Sequence, residues 1–373
     1  MLVSLFSDCY TLNLMIRPFN LRDLPLVHRL SELGVSLHTE SALTKNLHPT
    51  RGALFSLVGG DFPTYVWKSD KNGLAGFIQL CLDEESVHAH ILYLSSTSDG
   101  QISTETNGTA VSGVESVNGE RPYQVNEDAW LPLLDQAVVE AGQRGIHSLV
   151  AEVDEVSDEL PVLRRAGFVV YTRQDVWLLA NGEPAAFDSE KEKNILRLRQ
   201  AEDDWDIQLL YANTVPRLVQ LVEPMPPLHV GAGWVLHEEN ELVAFVHVHV
   251  GPVATWMRLF IHPSAEAQAD QIITAVVRQT PAAASRPIYC CVRRYQSWVQ
   301  NALERSGFTL WGSQAVMVKH IVQKASRPQA DLLAALEAQG ITPTAPLIRQ
   351  FQKTERKDAK KVPSTPKPIF EKS

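Results

Sequence analysis

The pattern of apolar and polar positions along this chain switches between a two-residue and a 3.6-residue period, and it does so twice in the same order. Met15-Ile16-Arg17-Pro18-Phe19 reads as a short opening strand. Asn20 to Asp23 then leads into Leu24-Pro25-Leu26-Val27-His28-Arg29-Leu30, an amphipathic helix with Asp23 as its predicted N-cap and Pro25 in the first turn. Two strand-like runs, Thr64–Lys68 and Leu74–Leu80, flank the hairpin signal Asn72-Gly73. Val87–Leu94 predicts a further strand, Trp130–Ala141 a helix, and Ser148–Val153 a buried strand.

The second half repeats this order. Ile195–Arg199 is the opening strand and Gln200–Leu210 the helix. Strands are predicted at Trp234–His237 and Leu242–Val250, with Glu238–Glu241 between them, and at Ala254–Ile261. A helix over Gln268–Gln279 and a strand at Ile288–Val292 follow. The clearest repeat closes each half. Leu163-Arg-Arg-Ala-Gly167-Phe168-Val-Val-Tyr171-Thr-Arg-Gln174 returns 140 residues later as Leu303-Glu-Arg-Ser-Gly307-Phe308-Thr-Leu-Trp311-Gly-Ser-Gln314. Its physical content is a helix stopped by a glycine at positive φ, followed at once by a strand.

The halves differ at Ser95–Asn126, a stretch rich in Ser, Thr, Gly and Asn that has too few large apolar residues to bury itself and reads as a polar loop insertion. The predicted organisation is a leader at 1–14, a first domain at 15–180 containing that loop, a linker at 181–194, a second domain at 195–321 and a tail at 322–373. Arg349 to Ser373 holds eight Lys/Arg against three Asp/Glu and reads as a basic, mostly disordered tail.

Composition narrows the function classes. With 373 residues, 45% hydrophobic and 21% charged, the chain is of the soluble globular class and long enough for two domains. A net charge of −9 argues against a nucleic-acid partner for the folded part. No apolar run approaches the ~18 residues of a membrane helix. The four cysteines, Cys9, Cys81, Cys290 and Cys291, form no CxxC pair, which predicts reduced thiols in a cytoplasmic protein.

Strand, helix, three antiparallel strands, helix, strand, helix, strand, opened by Ile16-Arg17-Pro18 and closed by Arg-Ala-Gly167-Phe168, resembles the GCN5-related N-acetyltransferase (GNAT) superfamily, in tandem. The resemblance spans about residues 15–180 and 195–321. It implies an α/β fold with a mixed sheet and transfer of an acyl group from acetyl-CoA or another acyl-CoA to a small-molecule amine. In that family the fourth and fifth strands splay apart and the pantetheine arm enters the gap. By resemblance the strand ends Tyr93, Leu94, Phe260 and Ile261 are the cofactor-binding positions. A glycine-rich loop then offers backbone N–H groups to the pyrophosphate. Here that loop reads His262-Pro-Ser-Ala265-Glu266-Ala267-Gln-Ala269-Asp270, without glycine. Alanine Cβ atoms at positions needing positive φ, and the charges of Glu266 and Asp270, predict weak acetyl-CoA binding. Leu163 and Leu303 stand where many members carry a tyrosine that protonates the leaving thiolate. At least one half is therefore expected to be inactive, and the alternative to an enzyme is a catalytically degenerate binding or scaffold protein.

Candidate catalytic residues are few. His247 and His249 alternate in Val246-His-Val-His-Val250, so both project from one strand face, as do His88 and His90. Such a pair could serve as general base; without a third ligand in a tight motif no metal site is predicted, and polar residues on a wet strand face are the plainer reading. Glu152, in the buried strand near the expected cleft, could accept the amine proton; a solvated strand end is the alternative. Trp256 and Arg258 could bind an anionic substrate, or Trp256 could simply pack. Tyr171 and Trp311 read as packing residues.

Overall fold

The computed structural model describes residues 16–45, 48–68, 74–82, 87–98, 125–180, 195–280 and 286–321. The leader, residues 99–124 of the insertion, the linker and the tail lie outside the described residues.

The first half runs β1 (Ile16–Pro18), α1 (Leu24–Ser31), β2 (Val35–Ser36), α2 (Thr39–Lys45), α3 (Pro49–Ser56), β3 (Thr64–Lys68), β4 (Leu74–Leu82), β5 (His88–Ser98), α4 (Glu127–Gln143), β6 (Ser148–Asp154), α5 (Glu159–Arg165) and β7 (Val169–Leu179). The second runs β8 (Arg197–Leu198), α6 (Asp204–Thr214), α7 (Arg217–Gln220), β9 (Ala232–Glu238), β10 (Glu241–Val250), β11 (Thr255–Ile261), α8 (Ala269–Gln279), β12 (Ile288–Arg293), α9 (Gln300–Arg305) and β13 (Thr309–His320). This is the mixed α/β order that the resemblance implies, present twice. β5 continues to Ser98, into the stretch expected to be loop. The sequence reading did not foresee β2, α2, α3 or α7.

Local chemistry repeats with the topology. Gly167 and Gly307 have φ of +88° and +90°, and in both turns the Phe N–H bonds back to the leucine carbonyl five residues earlier, at 3.0 Å. Arg17 grips Asp23 through two bonds of 2.6 Å, and Arg197 grips Asp203 in the same way. Asp23 does not cap α1 with its side chain, contrary to expectation: that carboxylate is committed to Arg17 and the Asn20 N–H. Glu239 and Asn240, at φ 45° and 76°, make the two-residue turn joining β9 and β10.

One sheet passes through both halves, in the order β1-β3-β4-β5-β6-β13-β7-β12-β11-β10-β9-β8, with β2 paired to β5 beside this path. The closing strands are exchanged. β13, from the second half, lies antiparallel to β6, from Gln314 opposite Asp154 to His320 opposite Ser148. β7, from the first half, lies antiparallel to β12, from Ile288 opposite Leu179 to Arg293 opposite Gln174. β7 and β13 pair with each other at the centre. Side chains follow the exchange: Ala315 and Met317 of β13 sit in the first half's core with Trp130 and Phe168, while Trp177 and Leu179 of β7 sit in the second half's core with Ile272 and Phe308. Neither half closes its own sheet, which two separate domains would have done.

Candidate functional site

Each half contains one pair of parallel strands, and both pairs come apart. β5 and β6 are in register only from His88–Ser148 to His90–Val150. β11 and β12 are in register from Thr255–Ile288 to Arg258–Cys291. Beyond those points β5 no longer pairs with β6, nor β11 with β12, and an extended guest with amide groups could take the place between them.

In the first half the guest is the chain itself. Val35 and Ser36 pair with Leu94 and Tyr93, the Leu37 N–H donates to the Leu92 carbonyl at 3.0 Å, and the Glu152 N–H donates to the Leu37 carbonyl at 2.8 Å. Residues 35–37 thus bridge β5 to β6. The Leu37 side chain is fully buried with Ile91, Ala151 and Val153, a burial worth roughly 1.5–3 kcal/mol. Gly34 permits the close entry: a Cβ there would lie 2.3 Å from the Tyr93 ring and 2.9 Å from the Leu94 carbonyl. In the second half, among the described residues, no strand pairs with β11 on its β12 side past Arg258.

Between the two divergences lies a cavity of about 190 Å³, lined from the first half by His38, Glu40, His90, Glu152 and Tyr171 and from the second by Glu223, Trp256, Arg258, Cys291 and Arg293. Strand geometry delivers these groups. On β6 Val150 and Glu152, and on β12 Cys291 and Arg293, lie two apart in sequence, and all four line the cavity. Glu223, in the Pro-rich segment after α7, bonds both arginines: Arg258, and Arg293 at 2.7 Å. Burial alone would raise the Glu223 carboxyl, but Arg293 and Arg258 outweigh it and hold it at about 2. Glu40 is likewise held at about 2 against burial, chiefly by the His249 bond of 2.9 Å, which crosses between the halves. Burial pushes the His38 imidazole down to about 4 and that of His90, tilted against it with ring centroids 4.4 Å apart, to about 3, so both are neutral bases near pH 7. Burial first and Glu223 second keep the Tyr171 phenol protonated, and burial lifts the Cys291 thiol to about 11, too high for a nucleophile at neutral pH.

The structure gathers some of the predicted residues here and disperses others. Glu152 is not a solvated strand end. It is 8% exposed and its Oε2 accepts the Thr39 N–H at 2.7 Å. His247 is not on a wet face: it is buried, and its Nε2 donates to the Val230 carbonyl at 2.7 Å. His249 is tied to Glu40, and neither histidine lines the cavity. Trp256 is buried against Val176 and Cys291, and Arg258 is spoken for by Glu223. Tyr171 lines the cavity, whereas its repeat partner Trp311 meets Tyr289 edge-on, away from it. The backbones of Tyr93 and Leu94 are occupied by β2. The side chains of Phe260 and Ile261 are core: Phe260 stacks 5.9 Å from Phe245, and Ile261 packs against α8. No group of three or more potential metal ligands is found among the described residues.

The loop before α8 also differs from expectation. Residues 263–268 form a 3-10 helix with no positive φ, so the alanines fit without strain. Asp270 adds little repulsion because Arg305 holds it with two bonds of 2.7 Å. Its backbone donors are used locally, Ser264 N–H on His262 Nδ1, Ala265 N–H on the His262 carbonyl and Ala269 N–H on the Glu266 carbonyl. Those three donors are thus already bonded within the loop.

No protein-family model matches the chain, and no curated protein does. Solved structures do resemble it in fold. A GCN5-related N-acetyltransferase from Sphaerobacter thermophilus matches at 10% identity over 83% of this chain and 96% of that one, with a TM-score of 0.43. A tandem GNAT protein from the clavulanic acid biosynthesis pathway matches at 13% identity over 83% and 99%, with a TM-score of 0.42. An acetyltransferase of the GNAT family from Colwellia psychrerythraea matches at 13% identity over 82% and 99%, with a TM-score of 0.40. Likenesses this distant carry no weight alone; the fold rests on the strand order and the two divergences. No helix among the described residues is long and apolar enough to cross a membrane.

Proposed function

We propose that this protein is an acyl-CoA-dependent N-acyltransferase whose second half alone takes the thioester. The observation that carries the reading is the contrast between the divergences: residues 35–37 fill the first, and no described strand fills the second. The free edge of β11 past Arg258 suits the amides of a pantetheine arm. The loop over residues 262–270 already bonds three of its N–H groups within itself, so affinity rests on the arm and is weaker than a glycine-rich loop would give.

The acyl carbon would reach the cavity where β11 and β12 part, beside Arg258 and Cys291. A small amine held there attacks the thioester carbonyl directly. The C–N bond forms and the C–S bond breaks; Glu152 would take the amine proton. Tyr171, protonated and lining the same cavity, would give one to the departing thiolate. A cytoplasmic setting, where acyl-CoA is abundant, agrees with the buried thiols of Cys290 and Cys291.

Hydrogen exchange in millimolar acetyl-CoA, longer acyl-CoAs and free CoA tests the reading. Amides of residues 259–261 should gain protection while those of 92–94 do not change. Protection at 92–94, or none anywhere with calorimetry equally blank, would sink it and leave the degenerate binding protein.

A further inference from the structure

The two halves offer opposite charges to the one cavity. Glu152 on β6 and Arg293 on β12 both line it. Each is more than nine-tenths buried, at 8% exposure. Glu152 spends Oε2 on the Thr39 N–H. Arg293 binds Glu223 through Nη2 alone, and its Nε and Nη1 are buried without a partner. Arg258 shares that same Glu223 carboxylate, so the second-half wall carries two guanidinium groups against one carboxylate. The first-half wall carries Glu152 and Glu40, with neutral His90 between the walls, its Nδ1 buried and unpartnered.

Buried donors without partners are costly, and an arginine fork is shaped for a carboxylate. A simple amine would answer the acidic wall and leave the arginines as they are. A simple carboxylic acid would do the reverse. We infer that the acceptor is a small zwitterion carrying both a primary amine and a carboxylate, such as an amino acid, with its amine toward Glu152 and its carboxylate toward Arg293 and Arg258. The cavity volume of about 190 Å³ lies below the ~300–1,000 Å³ of ordinary ligand pockets, which excludes a long peptide and favours a free amino acid or one of its close relatives. The assignment rests on the acyltransferase reading for what happens next, but the binding it asserts does not need acyl-CoA.

The test is therefore run on the full chain without any CoA. The twenty amino acids are screened by thermal shift at millimolar concentration. Each hit is then titrated by calorimetry beside its decarboxylated amine and its deaminated acid. At least one amino acid should bind, and both truncated analogues should bind about tenfold or more weakly, as expected when a buried charged partner is left unmet. Glu152→Gln keeps an oxygen for the Thr39 N–H and should weaken the amino acid about tenfold while leaving the deaminated acid unchanged. Because Arg293 is buried on Glu223, Arg293→Met is made with Glu223→Gln and used only if its melt stays cooperative; it should cost the amino acid and spare the amine. Equal binding of the amine alone, or no binding by any of the twenty, overturns the proposal. A clean amino-acid result with no acyl-CoA protection in β11 would instead sink only the transfer reading.

Discussion

The gap between β5 and β6 and the gap between β11 and β12 have the same origin and opposite fates. Both open where a short parallel ladder ends, at His90–Val150 and at Arg258–Cys291. The first is closed by Val35, Ser36 and Leu37, which supply the missing hydrogen bonds from the chain's own backbone and bury a leucine there. The second is left without such a strand among the described residues. A duplicated fold can therefore turn one copy from a binding slot into a wall. That wall still reaches the shared cavity, which Glu152 lines together with Arg293 of the other half.

The strongest way to break the comparison is to remove what joins the halves. Cutting the chain before Thr309 deletes β13, which sits between β6 and β7. The cooperative thermal transition should disappear by circular dichroism, since Ala315 and Met317 leave the first core and β6 is left as a bare edge. A first half that still melts cooperatively would mean the exchange is not needed to hold it.

A smaller effect separates the two gaps. Leu37→Ala empties a fully buried position and should cost about 2–5 kcal/mol in urea unfolding. A loss under about 1 kcal/mol would show that residues 35–37 lie on the gap without packing into it. The mildest test asks whether the halves are equivalent where they look identical. Gly167→Ala and Gly307→Ala each force a Cβ onto a φ near +90° and should each cost about 1–2 kcal/mol, alike within about 0.5. Nothing but Lys319, at 3.6 Å or more, stands near the first of these. Unequal losses would show that one turn relies on tertiary contacts the other lacks.

The repeat was legible in the sequence because its signals are local. A glycine at positive φ and alternating apolar strands each declare themselves within a few residues, and the structure has both; the Arg17–Asp23 and Arg197–Asp203 pairs repeat as locally, but Asp23 reads from sequence as a helix cap. What was missed depends on distant choices of partner. Val35-Ser36-Leu37 is too short to carry a period, and nothing in it says that it will lie between Leu92 and Glu152. The same stretch bears on Glu152, read as a possible solvated strand end, because its Oε2 accepts the Thr39 N–H. Glu223 was passed over for a similar reason: it sits in a Pro-rich connection with no counterpart in the first half, and only the fold brings it to Arg258 and Arg293. The exchange itself was invisible because β7 and β13 share one pattern, so either could have served as the neighbour of β6.

The exchange also sets an order of events during synthesis. Val150 is paired with Val318, and Leu149 with Lys319. Residues emerge from the ribosome in sequence, at about 5–20 per second. The first half therefore spends seconds complete in its own residues yet missing a strand, with the apolar edge of β6 open to any passing chain. Contacts of such long range are slow to form. The nascent protein has reason to seek a chaperone at that stage, after β7 has left the ribosome and before β13 arrives.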